Sequence, residues 1–379
     1  MTTSTSVKQM PADWTRTLTD EGAFRAEQSR LRYKWTFLGL AQDVAVDGDW
    51  FRASLATRSI FVQRFGEELR GFENRCAHRF FPLRTADKGN GPVVCGFHHW
   101  RYDKTGRAMG VPLCEELFGK IPRDLGATLT PVEVATCGDF IFGRFEQTGD
   151  TESLAQFLGD LFPVLEAVSR APVKPYATLT PVRANWRLCY HITHDDYHQV
   201  AVHPSTFGKG GYPRREAMSY SRTGLHSAFL SSPDPTAINK LAEGCRDGTF
   251  RSSHYFILQI FPNMIVSHGR SDAQFWHILV QQYSPVAHDR SLLRTWSYPS
   301  PFPANHKAHV RWTRPFTDPF RTLAVRHVIG KIRGEDHAVC ERVQTIAGQI
   351  NKAPMLGALE ERIGWFEENY ARAMAGNTD

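Results

Sequence analysis

Short apolar runs, broken by glycine and aspartate, dominate the chain after Lys34. Several are rich in β-branched and aromatic residues, and turn pairs such as Asp47-Gly48 separate them; examples are SIFVQRF, GPVVCGFH and GDFIFGRF. This composition favours short strands joined by tight turns. The pattern therefore predicts a small all-β domain over residues 34–148. A polar helical lead-in over residues 1–33 precedes it, and we expect this lead-in to pack on the second domain.

Residues 149–379 carry a mixed pattern. Their first apolar residues recur at the i, i+3, i+4 and i+7 spacing of an amphipathic helix; they are Leu154, Phe157, Leu158, Leu161, Phe162 and Leu165. Runs such as SHYFILQIFPNMIVSHG and AQFWHILVQQYSPV predict strands, and a helix is predicted over residues 193–201. Another helix is predicted from Thr322 toward Gly348, with a break or bend near Gly334. The second domain is therefore expected to be α+β.

Length and composition narrow the class of protein. A chain of 379 residues with 41% hydrophobic and 22% charged residues is long enough for two globular domains and is neither disordered nor fibrous in composition. The net charge of +6 arises from 45 basic and 39 acidic residues that are scattered along the chain. Because no basic run stands out, we expect no nucleic-acid partner.

Cysteine usage and hydropathy indicate the compartment. No apolar stretch approaches the roughly 18 residues that a membrane span requires, and the first residues, MTTSTSVKQMPADW, lack the apolar core of a secretion signal. We therefore expect a cytoplasmic protein without membrane contact. Seven cysteines spread over so long a chain are unlike the dense disulfide framework of a small secreted domain. In a reducing compartment, metal ligation explains them better.

Two of the cysteines are paired with histidines. Cys76 and His78 lie in CAH, and after sixteen residues Cys95 and His98 lie in CGFH. A [2Fe-2S] cluster in which two histidines replace two cysteines requires this donor set, because soft thiolates hold one iron and neutral imidazoles hold the other. Neutral ligands raise the reduction potential, so such a cluster accepts electrons more easily.

Two other interpretations compete with a cluster. Unrelated core cysteines and surface histidines would bind nothing, and a zinc site would use the same ligand types in a tetrahedral arrangement. The spacing is not that of a usual zinc finger, because each pair mixes Cys with His and the first pair has a single intervening residue. A zinc-stabilised nucleic-acid binder is therefore only a third interpretation, favoured by net charge alone.

The phrases NRCAHRFFPL and CGFHHWRYDKTGRAMGVP resemble the two cluster loops of the Rieske domain and the strand that follows them. The resemblance implies four cluster ligands: Cys76, His78, Cys95 and His98. Neither loop has the additional cysteine that forms a disulfide in respiratory-complex Rieske proteins, which points to the oxygenase and ferredoxin branch. Gly96 stands where proline is common and His99 where glycine is common. The family pattern selects His98 as the ligand and leaves His99 as an outer or exposed residue.

A second set of candidate ligands lies in NWRLCYHITHDDYHQVAVHP, where His198 and His203 are close enough to chelate one ion. On an ideal helix an i, i+5 pair is splayed by about 140°. Both rings therefore face one metal only if the helix ends or bulges near His203, and Pro204 favours a break there. Asp195 lies one turn before His198, so its carboxylate can reach the second ring nitrogen of that histidine.

Two histidines and one carboxylate around an ion with open positions are typical of non-haem Fe(II) oxygenases, since O2 and substrate need vacant coordination sites. The third ligand is predicted to be Asp336 in GEDHAVCERVQ, because it begins the helix face shared by Cys340 and Val343. Glu335 is expected to point about 100° away around that helix. Since the chain has sixteen histidines, a surface role for any one of them is the competing interpretation.

The order of these motifs resembles that of Rieske non-haem iron oxygenase large subunits, the alpha subunits of ring-hydroxylating oxygenases, over residues 34–350. The resemblance implies a larger α+β helix-grip (START-like) catalytic domain with an antiparallel sheet. It also implies three ligands of a mononuclear Fe(II) and one carboxylate that bridges to a cluster histidine: His198, His203, Asp336 and Asp195. One departure is visible, since His191 and Ile192 stand where the family often has a Glu-Asn pair.

The same resemblance implies a terminal oxygenase that uses O2 on a small, aromatic substrate. Electrons from NAD(P)H would arrive through a separate flavin and iron-sulfur reductase or a ferredoxin, since the chain has no convincing Gly-rich phosphate-binding loop. A homotrimer would place the cluster of one subunit beside the iron of its neighbour. Two alternatives stay open: a Rieske monooxygenase that demethylates or hydroxylates an N-methyl, O-methyl or quaternary-amine substrate, and a Rieske electron carrier that is not an enzyme.

Overall fold

The computed structural model describes residues 8–10, 13–207, 210–272, 275–303 and 308–375. The chain divides into two compact units, which we call the small unit, residues 32–154, and the large unit, residues 1–31 together with 155–379. Within the described ranges, no helix is both long enough and apolar enough to cross a membrane.

The small unit is built from antiparallel strands. Its main sheet has seven of them, in the spatial order Thr36–Leu40, Phe140–Arg144, Pro131–Cys137, Glu68–Glu73, Arg58–Phe65, Asp49–Leu55 and Lys88–Asn90. A second sheet consists of Val93–Val94, Arg101–Tyr102 and Ala108–Gly110. Three short helical segments complete the unit: Ala41–Val44, Cys114–Phe118 and Pro122–Leu125. The prediction of a small all-β domain is confirmed.

An apolar core anchors the two loops that carry Cys76 and Cys95. Both cysteines are buried in one cluster with Phe61, Trp100 and Tyr102. Each large apolar side chain buried in this way contributes about 1.5–3 kcal/mol. The two loops are therefore held by the same core that stabilises the sheet.

The large unit contains one seven-stranded antiparallel sheet, in the spatial order Tyr176–Val182, Arg290–Pro299, Phe275–Ala287, Met264–Asp272, Phe256–Ile260, His226–Leu230 and Ser219–Thr223. A small two-stranded sheet pairs Lys8–Gln9 with Met355–Leu356. Its helices are Arg16–Thr19, Glu21–Leu31, Phe162–Ser169, Trp186–His191, Gln199–Val202, Ala237–Arg246, Ala308–Ile346 and Glu361–Ala375, and Leu154–Leu158 lies at the boundary of the two units. The predicted α+β character with an antiparallel sheet is confirmed.

The segment with the paired histidines is not the single helix predicted over residues 193–201. Three short pieces replace it: the helix Trp186–His191, the 3₁₀ turn Ile192–His194 and the helix Gln199–Val202. Asp195 interrupts the helix, because its backbone is extended and its Oδ1 accepts hydrogen bonds from the backbone N–H groups of Tyr197 (2.6 Å) and His198 (3.1 Å). Such local bonds compete with helical ones.

The helix that carries Asp336, which we call the long helix, also differs from the prediction. It spans Ala308–Ile346, so it begins well before Thr322 and continues through Gly334 without a break. Glycine costs about 1 kcal/mol relative to alanine inside a helix. Packing on the sheet outweighs this cost; for example, the hydroxyl of Tyr283 lies 3.1 Å from Nε2 of His337.

A buried ion network fixes the helix that leads into the paired histidines. Arg187 donates to one oxygen of Glu367 at 2.5 Å, and Nε2 of His191 lies 2.7 Å from the other. Burial raises the pKa of Glu367, but the charges of Arg187 and His191 outweigh burial and bring it to about 2. His191, one of the two departures from the family pattern, is therefore occupied by this network. Its neighbour Ile192 lines the catalytic cavity described below.

Candidate metal centres and catalytic cavity

The two loops with the Cys and His pairs share one backbone design. The N–H of Phe80 donates to the carbonyl of Cys76 at 3.0 Å, and the N–H of His99 donates to the carbonyl of Cys95 at 2.9 Å. Phe80 and His99 are both left-handed, with φ of 61° and 57°. A non-glycine residue costs about 1–2 kcal/mol in that conformation, which explains why glycine is common at the second position. The His99 side chain is exposed.

Both thiols are buried and surrounded by hydrogen-bond donors. The hydroxyl of Tyr102 accepts from the N–H of Ala77 at 3.0 Å and lies 3.0 Å from Sγ of Cys76, so its own proton is directed at the sulfur. Burial raises the pKa of Cys95, while the N–H groups of Phe97 and His98 lower it. These donors stabilise sulfur in its anionic, ligating form.

The two imidazoles of the small unit lie side by side. The ring centroids of His78 and His98 are 4.8 Å apart, and His78 stacks on Trp100 at 4.7 Å with an interplanar angle of 2°. Nδ1 of His78 is buried without a hydrogen-bond partner among the described residues. Burial and the charge of His98 lower the pKa of His78, which keeps the ring neutral. A buried, neutral, unpaired ring nitrogen is suited to bind a metal.

The donor set of the small unit fits a two-iron cluster better than one zinc ion. A tetrahedral zinc site needs four ligand atoms that converge on one point. Within the described part of the chain, the one group of three or more His, Cys, Asp or Glu side chains that converges in this way is elsewhere, at His198, His203 and Asp336. Buried thiols and adjacent neutral imidazoles are the ligands of a [2Fe-2S] cluster of the His₂Cys₂ type.

The ligand atoms of His198, His203 and Asp336 lie within 4.8 Å of one another. Oδ1 of Asp336 is 3.4 Å from Nε2 of His198 and 3.0 Å from Nε2 of His203, and the two rings are inclined by 74°. Although both nitrogens are near, Oδ1 is buried without a partner of hydrogen-bond geometry among the described residues. Three donors that converge without satisfying one another fit a metal ion.

Charge in this group also favours a cation. Burial lowers the pKa of His198, but Asp195 and Asp336 outweigh burial and raise it to about 9. Burial raises the pKa of Asp336, but its contacts with His198 and His203 bring it below the usual range. The carboxylates therefore attract positive charge to this point, and a bound metal ion would release the protons of the imidazoles.

Asp195 lies on the outer side of the His198 ring. Its Oδ2 is 3.4 Å from Nδ1 of His198, while its Oδ1 is held by two backbone N–H groups. The structure therefore places Asp195 where the sequence predicted it, next to the second ring nitrogen of a candidate ligand. The reason differs, because Asp195 caps the following turn and does not precede His198 on a continuous helix.

Glu335 is a residue of the site that sequence reasoning missed. Its Oε2 lies 2.8 Å from Nδ1 of His203, although helix geometry placed it about 100° from Asp336. The His203 ring reaches both adjacent residues, since its Nε2 faces Asp336 and its Nδ1 faces Glu335. The available signal for this contact was the pair of consecutive carboxylates, Glu335 and Asp336, which lies opposite the buried His203.

A cavity of about 870 Å³ opens onto the three converging side chains. One wall is a face of the sheet, where strand Phe275–Ala287 contributes alternate residues: His277, Leu279, Gln281 and Tyr283. The opposite wall is the long helix, from Arg321 to Asp336. A second cavity of about 780 Å³ lies between the long helix and strand Tyr176–Val182, and contains none of the candidate ligands. The first cavity is therefore the candidate substrate site.

An all-β unit with two thiols and two imidazoles, and an α+β unit with two histidines, one carboxylate and a cavity, form the arrangement typical of a two-centre iron oxygenase. Residues 34–124 match the Rieske [2Fe-2S] domain, and residues 165–376, more than half of the chain, match the ring hydroxylating alpha subunit (catalytic domain). The chain belongs to the ring-hydroxylating oxygenase alpha-subunit family. This confirms the predicted family and fold class. It also confirms the predicted cofactors, a Rieske [2Fe-2S] cluster and a mononuclear iron, and the predicted oxidoreductase class, which is that of its relatives.

Curated relatives include aromatic-acid oxygenases. The chain is 27% identical over 233 residues to the large oxygenase component of salicylate 5-hydroxylase from Ralstonia sp., a stretch that covers 56% of this chain and 54% of the relative. It is 28% identical over 240 residues to the alpha 2 subunit of terephthalate 1,2-dioxygenase from Comamonas sp., covering 57% and 55%. The matched stretch thus spans about half the length of these relatives.

Solved structures share the fold over almost the whole chain. Naphthalene 1,2-dioxygenase from Rhodococcus sp., bound to indole, superposes with a TM-score of 0.76 at 21% identity and covers 98% of this chain and 95% of that one. The quaternary ammonium Rieske monooxygenase CntA superposes with a TM-score of 0.72 at 16% identity, covering 97% and 99%. At these identities the similarity defines the fold and does not choose between the two kinds of substrate.

Proposed function

We propose that this chain is the terminal oxygenase of a multicomponent Rieske system, which uses O2 and electrons from an NAD(P)H-linked reductase to hydroxylate a small aromatic molecule. One observation carries the proposal: His198, His203 and Asp336 converge at a cavity of about 870 Å³, in a chain that also has a Rieske domain. A Rieske electron carrier would need neither this second group of ligands nor the cavity.

Two sets of residues would hold the cofactors. Cys76, His78, Cys95 and His98 would hold the [2Fe-2S] cluster, and His198, His203 and Asp336 would hold the mononuclear iron. When bound, the cluster supplies single electrons and the iron supplies open coordination positions for O2. Every ligand atom of the second set comes from the wall of the cavity, so a substrate in the cavity lies next to the iron site.

Residues of the chain itself orient and protect this site. Asp195 and Glu335 each face Nδ1 of one candidate ligand, His198 or His203, so that each ring presents Nε2 to the centre. Carboxylates in this position fix the ring and raise its basicity. Apolar and aromatic side chains around the cavity exclude water and pack against a ring: Phe207, Phe229, Trp276, Leu279 and Val325.

Exposed aromatic surfaces at both centres support the homotrimer. The two loops that carry the imidazoles of the small unit, and the helix Cys114–Phe118 beside them, have four phenylalanines that are exposed in part or for the most part: Phe80, Phe81, Phe97 and Phe118. Beside Asp195, the rings of Tyr197 and Tyr212 stack at 5.4 Å and are both more than half exposed. Exposed aromatic patches are typical of protein interfaces. We infer that the cluster of one subunit docks beside Asp195 of its neighbour, which would receive electrons from His78 or His98.

The electron donor and the cellular location are inferred from two features of the chain. The sequence has no convincing Gly-rich loop for a nicotinamide cofactor, so a separate flavin and iron-sulfur reductase or a ferredoxin would deliver the electrons. All seven cysteines, each within the described part of the chain, are free thiols. Free thiols are typical of a reducing compartment, so we infer a cytoplasmic location.

Metal analysis combined with one variant tests the proposal. Anaerobically reconstituted protein should contain about three irons and two acid-labile sulfides per chain and oxygenate members of a panel of aromatic compounds. His198→Ala should keep the visible spectrum and about two irons, lose the third and give no product. Colourless reconstituted protein, or full activity in His198→Ala, would contradict it.

Oxidative demethylation of an N-methyl, O-methyl or quaternary-amine substrate is the second candidate. Fold similarity to the quaternary ammonium monooxygenase supports this candidate. Fold similarity to the naphthalene dioxygenase supports the first candidate to a similar degree. Release of formaldehyde from an N-methyl substrate in the same panel would favour this candidate, whereas hydroxylated rings would favour the first.

A further inference from the structure

Positive charge dominates the catalytic cavity away from the metal ligands. Three arginines line it: Arg270, Arg321 and Arg333. The acidic residues of its lining already have partners. Asp195 and Asp336 contact the candidate ligand histidines. Asp196 accepts from Arg362 at 2.8 Å and from the hydroxyl of Tyr220 at 2.5 Å. The carboxylates of the cavity lining are therefore already engaged.

Arg333 is the cation nearest in sequence to the candidate metal ligands. It precedes Asp336 by one turn of the long helix, and residues three apart on a helix are neighbours on one face. Its hydrogen-bond partners in the described residues are neutral oxygens: Thr295 Oγ1 at 3.0 Å, Ile329 O at 3.3 Å and Thr178 Oγ1 at 3.5 Å. Arg333 lines both cavities, and the two threonines line the second one. No described carboxylate lies within ion-pair distance of it.

Burial makes this unpaired charge costly. The side chain of Arg333 is partly buried, and burial lowers its pKa. Arginine nevertheless stays protonated in proteins, so the cost is not relieved by loss of a proton. A desolvated cation with only neutral partners is stabilised when an anion binds beside it, and arginine holds a carboxylate through two parallel hydrogen bonds.

The sheet wall is suited to a ring, and Arg270, on strand Met264–Asp272, is the one charged side chain that its described residues add to the cavity. Aromatic and aliphatic side chains line it: Phe229, Tyr255, Ile257, Trp276 and Leu279. His277 also lies on this wall, and burial lowers its pKa to about 4, so the ring is neutral at physiological pH. Gly269 leaves space for that ring, because a Cβ there would lie 3.1 Å from the imidazole. Charge recognition therefore rests on the arginines.

We propose that the substrate is an aromatic carboxylate whose anionic group pairs with Arg333 while its ring packs on the sheet wall. The inference rests on the proposed oxygenase function and makes its substrate class specific. It also disfavours the quaternary-amine substrates of the second candidate, because a quaternary ammonium group would be repelled by the guanidinium groups of the lining.

Paired ligands of equal shape isolate the contribution of charge. Dissociation constants of benzoate and benzamide, and of 2-naphthoate and 2-naphthamide, are measured by calorimetry on the intact iron-loaded protein without reductant. Charge-assisted hydrogen bonds contribute about 1.5–3 kcal/mol, so each carboxylate should bind about tenfold or more tightly than its amide. Benzyltrimethylammonium should bind more weakly than benzoate and more weakly than benzamide.

Three variants locate the anchor. We define the preference for carboxylate as the dissociation constant of the amide divided by that of the matching carboxylate. Arg333→Gln should bring this ratio close to one, and Arg333→Lys should retain more of the preference than Arg333→Gln. Arg326→Gln is the matched control: it lies two turns earlier on the long helix, with its guanidinium carbon 3.2 Å from the ring centroid of Tyr176, and lines the second cavity only. It should keep the preference of the parent protein.

Three results would overturn the proposal. The first is a parent protein without a preference for carboxylates. The second is a tenfold preference retained by Arg333→Gln, which would mean that the anion binds elsewhere. The third is an equal loss of the preference in Arg326→Gln. Because the experiment measures binding without turnover, its failure is distinct from failure of the oxygenase proposal, which depends on the third iron and on product formation.

Discussion

Oε2 of Glu335 lies 2.8 Å from Nδ1 of His203, and the next residue of the same helix, Asp336, faces Nε2 of that ring at 3.0 Å. The two nitrogens of one imidazole thus face the carboxylates of consecutive residues. His198 also faces two carboxylates, from residues far apart in sequence: Asp195 lies 3.4 Å from its Nδ1 and Asp336 lies 3.4 Å from its Nε2. Each candidate ligand histidine therefore has its own outer carboxylate.

Glu335→Ala should weaken metal binding without removing a ligand. Loss of an outer carboxylate typically costs about 10–100-fold in metal affinity, and Glu335→Gln, which can still accept a hydrogen bond, should lose less than Glu335→Ala. Titration with Co(II), followed by its visible absorption bands, measures the affinity. Glu341→Gln on the same helix, whose carboxylate pairs with Arg183, is the control and should bind as the parent does. Unchanged affinity in Glu335→Ala would show that His203 needs no outer partner.

Asp195→Asn should separate metal occupancy from turnover. The amide can still accept the hydrogen bonds of Tyr197 and His198, so the local turn should persist. The negative charge beside Nδ1 of His198 is lost, and with it the proposed link to a cluster histidine. We expect normal iron and sulfide content, a normal cluster spectrum and strongly reduced product formation. Normal turnover in this variant would remove Asp195 from the electron path.

Tyr102→Phe should make the cluster harder to reduce. A hydrogen bond to sulfur stabilises the more negative reduced state, and a net value of about 1 kcal/mol per bond corresponds to about 40 mV for one electron. We therefore expect the midpoint potential to fall by about 40 mV in a spectroelectrochemical titration. Tyr33→Phe, in the same unit but bonded to Arg32, is the control. An equal potential in Tyr102→Phe and the parent would contradict the direction of this hydrogen bond.

Glu367→Gln should destabilise the large unit in a manner that depends on pH. The pKa of Glu367 is about 2 in the folded protein, below its ordinary value. Its stabilising effect is therefore fully present above the unfolded pKa of about 4.3 and is lost as pH falls toward 2. Breaking a buried pair costs about 3–5 kcal/mol. Urea unfolding should show this difference at pH 7 and a smaller one at pH 4, whereas a difference that is constant with pH would contradict the assignment.

Local motifs were sufficient to predict the candidate ligands. Each Cys and His pair of the small unit lies within four consecutive residues, and His198 and His203 lie within six, so short-range spacing carries their chemistry. Strand and turn composition likewise predicted the all-β unit. In both cases the information lies in residues that are neighbours along the chain.

Relationships between distant segments were not predictable in this way. The break at Asp195 depends on a side chain that bonds backbone two and three residues ahead, which competes with an otherwise helical pattern. The contact between Glu335 and His203 depends on how the long helix packs against a segment 132 residues away. Helix angles describe where a Cβ points and not how far a glutamate reaches, so the predicted angle between Glu335 and Asp336 did not exclude a contact between Glu335 and His203.

The long helix places Arg333, Glu335 and Asp336 within four consecutive residues, so its rotation and position set three properties of the site together. A single-residue insertion before this turn would turn all three by about 100° about the helix axis. Redesign of this enzyme therefore has more freedom in the sheet wall, where residues on separate strands can be exchanged one at a time. In the helix, a change of register would alter metal binding and substrate binding together.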